Sequence, residues 1–230
     1  MAPEDLAALA ALLADRTRAA MCLALLDGRA WTAGELARHA GVAQSTASEH
    51  LGKLVAGGLL AEERQGRHRY ARLADARAAH LVEELAAYTA PVAEPPRSLR
   101  TANAQSAMAR GRTCYDHLAG RLGIAITEAM TARGLLLQDT GFALTDAGLE
   151  WFRDAGIALP HGGRRPLARA CLDWTERRSH LAGVAGAELC RHVLAVGWCI
   201  RIGSQRAVKV TPDGERALRE LLDIESEALR

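Results

Sequence analysis

The sequence predicts a mainly α chain with small β-hairpins, an α+β protein in two parts. Three observations lead there. Residues 31–72 read as a helix, a tight turn, a second helix and a basic two-stranded hairpin. Pro91, Pro95 and Pro96 then interrupt the chain, and proline removes backbone donors and restricts the residue before it, as in a linker. Residues 98–230 carry one pattern twice, the mark of an internal repeat. The expected organisation is a first domain over 1–90, a linker over 91–97 and a second domain over 98–230.

Taken in order, residues 4–14 and Arg16 to Leu26 form two scaffold helices, the second stopped by Asp27-Gly28. Thr32 N-caps the next helix, with Glu35 three residues on to close a capping box. Gly41 supplies the turn where positive φ is needed. A further helix opens at Gln44 or Ser45. Ala47, Leu51, Leu54 and Val55 share its inner face, and Gly57-Gly58 end it. Leu59 and Leu60 start a strand, Gln65-Gly66 turn it, and residues 67–72 return. Ala74 to Tyr88 is a helix with Ala78, Leu81, Val82 and Leu85 along one side.

The outer face of the second helix in this segment carries short polar side chains, Gln44, Ser45, Thr46 and Ser48, with His50 and Lys53 beyond. Such a face fits the DNA major groove and reaches base edges, where long apolar chains would block approach. The hairpin adds Arg64, Arg67, Arg69 and Arg72 within nine residues and no acid, a charge cluster suited to phosphates. The signal is local. Residues 1–90 hold 10 basic and 11 acidic residues, and the chain's net charge is only +2.

The segment VAQSTASEHL-x-x-L-x-x-x-GLL followed by R-x-G-R-x-x-Y resembles the ArsR/SmtB family of winged-helix regulators over about the first 90 residues. The resemblance implies that Gln44 to Ala56 is the recognition helix and Leu59 to Arg72 the wing. It also implies a symmetric homodimer, joined through the first helix and the 74–88 helix, that binds an inverted-repeat operator in double-stranded DNA and is released by a signal. Glu49 departs from the polar face. It fits either an acceptor for a cytosine amino group or a partner for Lys53 four residues on. Relatives hold metals in a Cys-rich box before the recognition helix or through His and acid pairs on the dimer helix. Here Thr32 to Ala43 has no cysteine, and Asp75, His80, Glu83 and Glu84 do not reproduce the pairing. No metal is expected at those inherited positions.

Apolar residues make up 49% of the 230, enough for two cores, so disorder is not expected. Five cysteines at irregular spacing do not form a disulfide framework. The start, MAPEDLAALAALLADR, is acidic where a signal peptide is basic, and its apolar run is too short to span a bilayer. A reducing cytoplasm and no membrane partner are the expectation.

In the second half, RTCYDHLAGRLG (112–123) parallels RACLDWTERRSHLAGVAG (169–186), which carries a six-residue insertion. Downstream, residues 134–152 and 197–218 each read as strand, turn, strand and a Thr-capped helix. The second domain is therefore read as two degenerate winged-helix-like repeats. Cys114 and His117 would lie three apart on one face of a helix. Cys171 and His180 converge only where the chain turns between them. Thiolate and imidazole suit a soft or borderline metal or metalloid ion, and the thiols suit oxidant sensing. A small-effector pocket and a purely structural role remain open beside these. Cys22, Cys190 and Cys199 sit in apolar runs and read as buried and inert, and Trp151 and Trp198 read as core.

The function expected is a sequence-specific, homodimeric DNA-binding repressor with a second domain that receives a signal or stabilises the dimer. A protein-binding winged-helix adaptor and a Cys/His-dependent enzyme are the alternatives. The enzyme lacks a base beside its nucleophile and any phosphate loop or metal-hydrolase motif.

Overall fold

The computed structural model describes residues 2–65, 68–89, 99–139, 141–160, 162–203 and 206–229. The hairpin turn position Gly66, Arg67 and the proline-rich 91–97 stretch lie outside the described residues. Chain contacts divide the protein into two compact units, Met1–Glu83 and Glu84–Arg230.

The first unit runs α1 (Pro3–Leu13), α2 (Arg16–Leu25), β1 (Trp31–Thr32), α3 (Ala33–Ala40), α4 (Gln44–Ala56), β2 (Leu60–Gln65) and β3 (His68–Leu73). α5 (Ala76–Ala87) follows and runs across the boundary. Local chemistry sets the ends. Asp15 caps α2 by accepting from the Arg18 N–H. Thr32 and Glu35 form the expected capping box on α3, which stops at Gly41 with φ 70°. α4 buries Ala47, Leu51 and Leu54 in a core with Met21, Cys22, Leu25 and Leu36. β2 and β3 pair antiparallel from Leu60↔Leu73 to Gln65↔His68. Trp31 pairs with Ala71, so β1 adds a third strand to the sheet that the sequence reading did not anticipate.

The second unit begins with α6 (Leu99–Arg110), also unanticipated. Then come β4 (Arg112–Cys114), β5 (His117–Ala119), α7 (Gly120–Ala132), β6 (Leu136–Leu137), β7 (Ala143–Leu144) and α8 (Asp146–Asp154). The order hairpin, helix, hairpin, helix recurs as β8 (Arg169–Leu172), β9 (Ser179–Ala182), α9 (Gly183–Ala195), β10 (Cys199–Arg201), β11 (Val208–Val210) and α10 (Pro212–Leu222). Thr145 and Thr211 cap α8 and α10 by accepting from Gly148 and Gly214 N–H. One apolar core takes Leu122, Met130 and Phe152 from the first set and Leu189, Leu218 and Leu222 from the second, with Trp151 and Trp198 packed at its margin.

One local expectation is corrected. Cys114 and His117 do not share a helix face. They end adjacent strands and pair across a two-residue turn, Cys114↔His117. Tyr115 in that turn takes φ 57°, a left-handed conformation uncommon for a residue with a side chain. Cys171↔His180 pair in the same way across β8 and β9, the chain turning between them through the six inserted residues.

Candidate nucleic-acid interface and metal centre

Burying Ala47, Leu51 and Leu54 forces the opposite side of α4 to solvent. Gln44, Ser45, Ser48 and Lys53 are exposed and Thr46 is half-buried. The Ser48 hydroxyl donates back to the Gln44 carbonyl at 2.9 Å. Lys53 Nζ lies 2.9 Å from Glu49 Oε1, which settles Glu49 as its helical partner in this state and lowers the carboxyl's pKa. Arg64 projects from the hairpin into solvent, and Arg69 donates to Glu62 across it. His50 is half-buried. Its Nδ1 lies 3.6 Å from Asp15 Oδ1 and 3.5 Å from Arg18 Nη1, at the α1–α2 corner.

In the second unit four expected residues converge. Cys114, His117, Cys171 and His180 are all buried, and their donor atoms lie within 4.8 Å of one another. The two Sγ atoms are 3.9 Å apart and the two Nε2 atoms 3.1 Å apart. Each hairpin contributes one cysteine and one histidine from one cross-strand pair. Small residues make room. Cys114, Ala119, Cys171 and Ala182 form one packed cluster. A Cβ on Gly123 would meet the Leu118 carbonyl oxygen at 2.5 Å, and one on Gly186 would meet that of Leu181 at 2.4 Å and His117 Cβ at 3.2 Å. Only glycine lets each helix come this close to the hairpins.

Behind each imidazole stands the aspartate of the repeated Cys-x-Asp. Asp116 Oδ1 lies 3.3 Å from His117 Nδ1, and Asp173 Oδ2 lies 3.3 Å from His180 Nδ1. Arginines hold both carboxylates. Arg112, itself fully buried, donates to Asp173 at 2.9 Å and lies over the Trp174 ring at 5.3 Å. Arg165 makes a two-pronged contact with Asp116 at 2.5 and 2.9 Å. Asp173 also accepts from the Gly120 N–H at 2.7 Å and from Thr175. Burial works against both carboxylates. His180, Arg112 and the Gly120 N–H outweigh it at Asp173, as Arg165 and His117 do at Asp116, and both pKa values fall well below the usual range. Burial likewise opposes charge on His180, yet Asp173 and Cys114 raise its pKa.

Arg165 and the close-packing role of both glycines escaped the sequence reading, although the glycines fall inside the repeated HLAG-x-x-G string. The remaining thiols are inert packing groups. Burial pushes Cys22 up to about 11 and Cys190 and Cys199 up to about 12. Among the described residues, no helix is long and apolar enough to cross a membrane.

A helix-turn-helix domain model matches residues 13–63, the segment from α2 into β2. The chain is 39% identical to the HTH-type transcriptional regulator YdfF of Bacillus subtilis over 223 residues, covering 96% of this chain and 98% of that one. It is 43% identical to the HTH-type transcriptional regulator CmtR of Mycobacterium tuberculosis over 86 residues, covering 37% of this chain and 71% of that protein. Among solved structures, that of the cadmium metal-sensor CMTR from M. tuberculosis aligns with 35% identity and a TM-score of 0.32, covering 41% of this chain and 99% of that one. Near-complete alignment to YdfF at this identity, with a helix-turn-helix and hairpin where the motif lies, places the chain in the ArsR family of winged helix-turn-helix, DNA-binding transcriptional regulators.

Proposed function

We propose that this regulator is a homodimeric repressor that binds an inverted-repeat operator and is released by a signal. One observation carries the reading: α4 is buried by apolar residues on one side and presents Gln44, Ser45 and Ser48 to solvent on the other. In this reading Gln44, Ser45, Thr46 and Ser48 read base edges in the major groove. Lys53, Arg64, Arg67 and Arg69 contact phosphates, with Lys53 and Arg69 leaving Glu49 and Glu62 to do so. His50 positions the helix through Asp15.

The dimer draws support from α1. None of its residues is buried, although it reads PEDLAALAALL and leaves Leu6 58% exposed. Leu9, Leu12 and Leu13 are only half-buried, and a partly covered apolar helix suits a two-fold interface. The second unit is read as a duplicated domain that receives the signal or stabilises the dimer.

Fluorescence anisotropy on DNA from upstream of the gene, across a salt series, tests this. Saturable, sequence-dependent binding with a steep negative salt slope is expected. Arg64→Ala should reduce that slope by about 1 and weaken all sequences alike, whereas Gln44→Ala should relax preference at one base position. Equal, weak affinity for random DNA would overturn the proposal, and unchanged affinity after scrambling one half-site would overturn the dimer.

A further inference from the structure

We infer that Cys114, His117, Cys171 and His180 form a closed tetrahedral site for one zinc ion, which cross-links the two halves of the second unit. The relatives' metal positions named by the family resemblance lie in the first 90 residues. This cluster lies elsewhere and is built on different elements.

The geometry fits a specific ion class. With Zn–S of about 2.3 Å and Zn–N of about 2.0–2.1 Å, a regular tetrahedron has edges of roughly 3.8 Å between sulfurs and 3.3 Å between nitrogens. The measured separations are 3.9 and 3.1 Å. No donor pair exceeds 4.8 Å, so movements on the order of 1 Å or less close the shell. Two thiolates and two imidazoles suit zinc, with cadmium or cobalt as substitutes. Calcium and magnesium require oxygen ligands, which the inner set does not offer.

The imidazoles add an independent argument. The Asp116 carboxylate orders the His117 proton onto Nδ1, and Asp173 faces His180 Nδ1 in the same sense. The two Nε2 atoms face each other across 3.1 Å, at hydrogen-bond distance with one proton between them. An ion bound between the rings and the sulfurs would replace that proton and take both nitrogens as donors. Carboxylates behind ligating histidines are the usual outer support of a zinc site. His180 Nδ1 is buried and makes no well-angled hydrogen bond, although the Asp173 carboxylate lies 3.3 Å from it.

The symmetry states the purpose. Each repeat supplies Cys, His and the supporting Asp, and the arginines cross between them: Arg112 reaches Asp173 and Arg165 reaches Asp116. All four positions are filled by protein and all four residues are buried, which leaves no place for substrate or water and defines a structural site. On binding, both thiols lose their protons to solvent and become thiolate ligands, with no change in oxidation state.

The test uses the full chain purified under reducing conditions without added chelator. Elemental analysis should find one zinc per chain. Replacement by cobalt should give the intense visible bands of a tetrahedral thiolate site, and X-ray absorption should report two sulfur and two nitrogen neighbours. C114S and C171S should each lose the ion, whereas C190S, in the apolar core, should retain it. Chelator should lower the thermal midpoint of the wild-type chain. This arm needs no variant and so separates loss of metal from failure to fold. Wild-type protein without zinc that takes up none on titration, an oxygen-dominated coordination shell, or a Cys114–Cys171 disulfide in the reduced preparation would overturn the inference. None of these readouts involves DNA, so the site and the repressor reading stand or fall separately.

Discussion

Asp173 illustrates how one side chain fixes several elements. Its two oxygens accept from Arg112, from the Gly120 N–H and from Thr175 while standing behind His180. Asp173→Ala would leave the Arg112 guanidinium buried without its carboxylate, at a cost of about 3–5 kcal/mol. Chemical denaturation of the second unit should report that loss. The core thiols give a pH prediction of opposite chemistry. A thiol unfolds to a pKa of about 8.5, whereas Cys22, Cys190 and Cys199 sit at about 11, 12 and 12 when folded. The folded state therefore holds more protons above that unfolded value. Their contribution is fully present below about pH 8.5 and is lost as pH rises toward 11 to 12. A thiol reagent at pH 8 should leave all three unmodified in the native protein, and midpoint denaturant concentration should fall from pH 8.5 upward.

Glycines separate tight packing from open surface at the scale of elements. Gly214 opens α10 so close to Trp198 that an added Cβ would sit 2.1 Å from a backbone carbonyl oxygen, which cannot move aside. Gly214→Ala should destabilise the chain markedly. Gly52, on the solvent side of α4, has nothing within 4 Å of the same added atom. Gly52→Ala should stabilise by about 0.5–1 kcal/mol because it restricts the unfolded chain and favours helix. Thermal unfolding of the pair gives shifts of opposite sign. The α3 capping box offers a smaller test, since Thr32→Ala should cost about 1 kcal/mol. These helix ends were readable in the sequence because caps, turns and apolar spacing act over a few residues. β1 was missed because a two-residue strand has no period of its own and exists only by pairing with Ala71 and Tyr70.

For the whole molecule, the proposed dimer draws on the exposed side of α1, where Leu6 is 58% exposed. Leu6→Glu should shift sedimentation toward monomer and weaken operator binding, while leaving the fold intact because Leu6 is 58% exposed. A variant that remained dimeric would place the interface elsewhere.

By itself, the sequence determined the family, the capped α3, the polar-faced α4, the basic hairpin and the repeated Cys-x-Asp with HLAG-x-x-G. Each is a local pattern, so residue spacing alone is sufficient to read it. Only the tertiary structure decided that Cys114 and His117 face each other across a turn, that His50 turns toward Asp15, and that two half-sites 57 and 63 residues apart meet. Those outcomes depend on packing. Gly123 and Gly186 allow the helices to approach the hairpins, and the Arg112 and Arg165 contacts cross from one repeat to the other. Spacing along a chain carries no information about which of two distant hairpins will share a core, because that choice is made by the surface each buries.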